Sequence, residues 1–154
     1  MSNNRPSTAA RTLAARYGKQ MQSLRVASAV IAARAGDRAA SVIQIPLPPP
    51  ISVNMLRKLD RSSLPLLQAW CDHADGLVYE AGGVRQLGRI DGPYEAHITY
   101  DRRLALDIDN GIKTILDYAV RLGVVNDDGP KYLKRLIVEH GEVPHGCRLE
   151  LRAL

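Results

Sequence analysis

The sequence predicts an α+β domain, a small mixed β-sheet packed with helices, behind a basic N-terminal extension of helical periodicity. Three observations lead there. Apolar and polar residues alternate over residues 41–47, 94–100, 103–109, 131–139 and 147–153, the pattern of half-buried strands. Two longer stretches, Ser62 to Glu80 and Asn110 to Leu122, change to a period near 3.6. The chain has 154 residues, 45% of them apolar, which suffices for one core in which folding removes roughly 70% of the exposed surface.

The extension comes first. Residues 1–40 carry Arg5, Arg11, Arg16, Lys19, Arg25, Arg34 and Arg38 against Asp37 alone, whereas residues 41–154 are close to neutral. The formal charge of +5 therefore belongs to the extension, not to the domain of residues 41–154. Leu13, Tyr17, Met21, Leu24 and Ile31 recur at helical spacing within it, and Gly18 interrupts them. Three readings fit: a helical tail with a solvated charged face, a phosphate-binding arm, or an Arg-rich targeting presequence. No apolar run approaches the about 20 residues of a membrane span.

SVIQIPL (41–47) is the first expected strand, ended by Pro48-Pro49-Pro50. Leu64, Leu67, Trp70, Cys71 and Leu77 then mark one helix face, with Ser62 or Ser63 at its start. Gly-rich residues 81–93 read as a loop, and YEAHITY (94–100) as a strand. In residues 103–109, Leu104, Leu106 and Ile108 face one way and Arg103, Ala105, Asp107 and Asp109 the other. A helix from Asn110 follows, with Ile112, Ile115, Leu116, Ala119 and Leu122 as its stripe and Gly123 as its cap. Asn126-Asp127-Asp128-Gly129 is a turn signal. KYLKRLIVE and CRLELRA close the chain as strands, the latter with Cys147, Leu149, Leu151 and Ala153 facing inward.

The acidic residues carry the chemistry. Asp107 and Asp109 share one face of an extended segment, about 7 Å apart by the strand rise. Asp127 and Asp128 sit in the turn after the next helix, which can bring Asp128 back to the first pair. Carboxylates so gathered repel by about 4 kcal/mol per pair at 4 Å and an effective dielectric near 20, so the cluster needs a cation. Hard oxygen donors suit Mg²⁺ or Mn²⁺. Structural explanations stand beside this one: Asp109 as a helix cap, residues 126–129 as a plain turn, and Lys113 as an i,i+4 partner of Asp117.

Asp107-Ile108-Asp109-Asn110, then Lys113, Asp117, Gly123-Val124 and Asp127-Asp128, resemble the signature of the RusA-type crossover junction endodeoxyribonucleases, the Holliday junction resolvases of bacteria and their prophages. Pro46-Leu47-Pro48-Pro49-Pro50 with Ser52-Val53-Asn54 resembles that family's N-terminal strand and turn. Asp101-Arg102-Arg103 resembles its basic run, and Gly146 with Arg148-Leu149-Glu150-Leu151 its closing strand. The likeness spans residues 41–154.

The resemblance implies a homodimer in the bacterial cytoplasm that binds four-way DNA junctions and makes paired nicks with Mg²⁺, or Mn²⁺ in its place, leaving 5′-phosphate and 3′-hydroxyl ends. It implies metal ligation by Asp107, Asp109 and Asp128 and an essential Lys113. DNA contacts would come from Asn54, Arg57, Lys58, Arg102, Arg103 and Lys113. The chain departs from the family where Leu104, Ala105 and Leu106 replace arginines, and where Met55 and Leu56 replace aromatic residues. Two other classes remain beside a junction resolvase: a branched-DNA-binding protein that does not cut, and a nuclease of relaxed preference for forks and flaps. Cys71 and Cys147 fit no metal or redox spacing, the histidines form no ligand pattern, and Trp70 reads as core.

Overall fold

The computed structural model describes residues 38–51 and 63–154. Expectations for the helical periodicity of the extension and for Asn54, Arg57 and Lys58 fall outside those residues. The described elements are β1 (Val42–Leu47), α1 (Ser63–Glu80), α2 (Val84–Leu87), β2 (Tyr94–Asp101), α3 (Ile112–Leu122), β3 (Leu133–Gly141), a 3₁₀ turn (Pro144–Gly146) and β4 (Cys147–Ala153). The strands form one mixed sheet in the order β1-β4-β2-β3. The α+β class expected from the alternation of periods is the class observed.

Strand register explains the core. Ile45 lies beside Leu149, Leu149 beside Ile98, and Ile98 beside Val138, so one apolar row crosses all four strands. Parallel rows run through Ile43, Leu151 and Ala96 and through Leu47, Cys147 and Tyr100. Every β1, β4 and β2 member of these rows is buried, and Leu67, Trp70, Ala74 and Val78 of α1 with Ile115, Leu116, Ala119 and Leu122 of α3 close the same cluster. The other sheet face is polar: Gln44 donates to Glu150, and Arg152 pairs with Glu150. One face packed and one wet is what strict alternation produces.

The helices are joined by polar bonds as well. Arg121 of α3, itself 7% exposed, grips both carboxylate oxygens of Asp75 on α1 at 2.7 and 3.0 Å, and the Tyr118 hydroxyl donates to the same carboxylate at 2.7 Å. Trp70 meets Tyr118 edge to face at 5.3 Å and donates to the Pro49 carbonyl. It is a core residue, as expected. Both cysteines are buried and free, and burial pushes Cys71 up to about 11 and Cys147 up to about 12.

Several expectations need correction. Residues 103–109 alternate but form no strand: β2 ends at Asp101, and residues 102–110 are turns and irregular backbone. The carboxylate of Asp101 accepts the Arg103 amide, and the Asp101 carbonyl accepts the Leu104 amide, which folds the chain away from the sheet. β3 starts two residues later than expected, because Tyr132 and Leu133 amides bond back to the Gly129 carbonyl. Residues 81–93 contain the single turn α2. Ala153 is exposed, past the end of the packed row. α3 starts at Ile112 and ends at Leu122, capped by Gly123, whose φ of 74° and amide bond to Val120 make the expected cap.

β2 and β3 are parallel neighbours joined through α3. Parallel pairing requires such a crossover, and it places every acidic residue singled out in the sequence on this one β2–α3–β3 connection. Asp107 and Asp109 lie on its way out, Asp127 and Asp128 on its return. No helix among the described residues is long and apolar enough to cross a membrane.

Candidate active site

The way out of β2 is held at several points. Asp101 is buried, and Arg103 reaches both its carboxylate oxygens, holding its carboxyl well below the usual range, at about 2. Further on, His140 of β3 meets the Leu106 carbonyl at 3.1 Å, so a histidine does approach this loop, through the backbone. The Asn110 amide closes a turn on the Asp107 carbonyl at 3.0 Å. Gly111 then passes against Pro50 so closely that a Cβ there would lie 2.4 Å from the proline ring. The loop is pinned at both ends, and Asp107, Ile108 and Asp109 between the pins are exposed.

Asp109 does not cap α3. The cap position is Gly111, with no side-chain cap bond among the described residues, so the structural explanation of Asp109 fails. Nearby, the Tyr100 hydroxyl is buried and has no hydrogen-bond partner among the described residues, and its pKa is raised, by burial first and by Cys147 and Asp109 after it.

The return strand is tied to the start of α3. Lys113 Nζ lies 2.5 Å from Asp117 Oδ1 and 2.7 Å from Asp128 Oδ2, so one half-exposed ammonium serves two carboxylates. Burial opposes the charge on Lys113, but the two carboxylates outweigh it and its pKa rises. The i,i+4 pair with Asp117 and the long-range link to Asp128 are thus both present. The Tyr94 hydroxyl donates to the Asp127 carbonyl at 3.1 Å, fixing the turn from the sheet side. Its own pKa is raised, chiefly by burial and further by Asp128 and Asp127.

Of the expected metal ligands, the structure brings Asp128 to Lys113 and leaves Asp107 and Asp109 on the pinned loop. Among the described residues no three His, Cys, Asp or Glu side chains gather to hold a metal ion. In the chemistry of its donors the set fits Mg²⁺: three carboxylates, two of them exposed, with no thiolate, and with the His140 imidazole bonded to a carbonyl.

The carboxyl ends of the parallel strands open onto a cavity of about 500 Å³, lined by Asp101, Arg102, Arg103, Glu142, Val143 and Pro144. Arg102 and Arg103 are exposed there, Arg102 at 3.4 Å from Glu142 and Arg103 on Asp101. Such ends are where open α/β sheets bind ligands. Asp101 was missed in the sequence because it read as part of a basic run; its cue is the D-x-R spacing, which lets a carboxylate accept the amide two residues on. No protein-family model matches this chain, and no curated protein sequence matches it.

Proposed function

We propose that the chain is a RusA-type, divalent-metal-dependent endodeoxyribonuclease of the bacterial cytoplasm that acts as a homodimer on branched DNA, four-way junctions first. The observation that carries the reading is the Lys113–Asp128 link at 2.7 Å. It joins the third carboxylate of the D-x-D-N-x-x-K series to its lysine across 15 residues, where a plain turn needs no such bond. The unused cap position of Asp109 adds to it.

In this reading Asp107, Asp109 and Asp128 would hold Mg²⁺, which when bound lowers the pKa of water and polarises the scissile phosphate. Lys113, half exposed and kept charged by its two carboxylates, offsets negative charge on the phosphoryl oxygens. Arg102 and Arg103, exposed at the mouth of the cavity, hold backbone phosphates in register. Asp101 fixes the backbone from which both arginines project.

One observation favours a second reading, a branched-DNA-binding protein that does not cut: the three carboxylates stand apart. Incubation with synthetic four-way junction, fork and plain duplex, with Mg²⁺ or with chelator, separates the two. Paired nicks on the junction that need Mg²⁺ are expected. Asp107→Asn, Asp109→Asn and Asp128→Asn should each remove cutting and keep binding, since each change removes a donor along with a charge that repels phosphate. Tight binding of the junction with no nick under any metal establishes the second reading, and equal cutting of forks and junctions the relaxed nuclease.

A further inference from the structure

The sheet ends on one side in β3, nine residues long, and among the described residues no strand pairs its outer edge. Edges of this length are ordinarily blunted by proline, a bulge or a cover, because their free amides and carbonyls template another strand. Here the one irregularity is a bulge at the very start of β3, where Lys134 is the extra residue between Leu133 and Arg135, and the strand is regular from Arg135 to Gly141. Leu136 is 38% exposed on this edge, and Ile137 and Val138 are half-buried beside it.

We propose that β3 pairs antiparallel with β3 of a second copy, doubling the sheet across a two-fold axis at Ile137. The register follows from the residues. Of the same-face antiparallel self-pairings, the one centred on Ile137 opposes the regular residues Arg135 through Glu139 to themselves. It alone sets Arg135 against Glu139 of the other copy, twice by symmetry. Leu136 then meets Val138, extending the apolar rows of the core face. Centring on Arg135 or Glu139 would oppose like charges; centring on Leu136 or Val138 leaves Arg135 against Ile137 or Gly141.

Backbone directions agree. The Gly141 carbonyl accepts the Arg102 amide on the β2 side. By alternation from Arg135 on, the odd residues aim their backbone groups at β2, and Leu136, Val138 and His140 aim theirs outward. Ile137 and the Arg135–Glu139 pairs then occupy non-hydrogen-bonded positions, where side chains stand closest. Arg135 already lies 3.3 Å from Glu95, and Glu139 2.7 Å from His97. The dimer would continue these pairs into one row of alternating charge across the join.

The inference rests on the two-fold assembly of the proposed function and not on its chemistry. Sedimentation velocity and light scattering of the full chain, over a concentration series, test it. Arg135→Glu and Glu139→Arg should each raise the dimer Kd by about tenfold or more, and the double exchange should restore most of the affinity, since it swaps the charges without losing the pairing. Because Arg135→Glu also meets Glu95, a second measurement avoids its folding: Ile137→Cys should give a disulfide-linked dimer under mild oxidation, while Lys134→Cys, about six residues out of register with its own copy, should not. The native cysteines are buried and do not interfere. A monomer at every concentration overturns the proposal, as does a dimer indifferent to both exchanges and to Ile137→Cys. A dimer through β3 that cuts no branched DNA removes the nuclease reading and leaves this surface standing.

Discussion

Replacing Lys113 by methionine keeps the aliphatic stem and removes one charge from between two carboxylates. Asp117 is 1% exposed and Asp128 14%, and the ammonium stands 2.5 and 2.7 Å from them, so their nearest oxygens are at most about 5 Å apart. At that separation and an effective dielectric near 20, two carboxylates without the ammonium between them repel by about 3 kcal/mol. Lys113 is itself 48% exposed, so water reaches the gap and the cost falls to about 2 kcal/mol. For a chain of this size that lowers the Tm by about 4–8 °C. Calorimetry at neutral pH measures it. The double variant Lys113→Met with Asp128→Asn should recover most of the loss, because only Asp117 then stays charged. A single variant that melts with the parent, or a double variant as unstable as the single, refutes the idea that Lys113 neutralises both carboxylates in the folded chain.

Three further outcomes follow from the packing. Asp75→Ala leaves Arg121 buried without the carboxylate it grips, and urea unfolding should register a loss of about 3 kcal/mol with little change in m. Gly111→Ala drives a Cβ into the rigid ring of Pro50 and should cost about 1–3 kcal/mol, read as a lower Tm. Asp101 is lowered from 3.8 to about 2, so its contribution is present above the unfolded value and is lost as pH falls from near 4 toward 2. Arg103→Met, which removes the cause of the shift, should flatten the acid limb of stability across that window.

The four observed strands and the two long helices were legible because each buries one face against the other layer, and burial imposes the period. Residues 103–109 show where that inference stops. Leu104, Leu106 and Ile108 alternate as well as any strand, yet both edges of β2 are taken by β4 and β3. Alternation reports which side chains prefer shelter. It says nothing of whether a neighbouring backbone is free to bond, and here the Asp101 carboxylate and carbonyl captured the next amides first. The late start of β3 has the same origin, in bonds to Gly129 that are local but not periodic.

The site was legible as spacing and only partly as geometry. Lys113 and Asp117 sit four apart on α3, so their pairing follows from helical rise alone. Lys113 and Asp128 meet because the crossover between parallel strands must double back, a constraint of topology that fifteen residues of sequence cannot express. The position of Asp109 follows from neither. Its helix begins at Ile112, after a cap position at Gly111 where Pro50 leaves no room for a side chain, so the cap lies two residues past the aspartate. A glycine packed on a proline 61 residues upstream thus holds the cap position that periodicity had offered to Asp109, and the carboxylate, exposed, is not consumed by the fold.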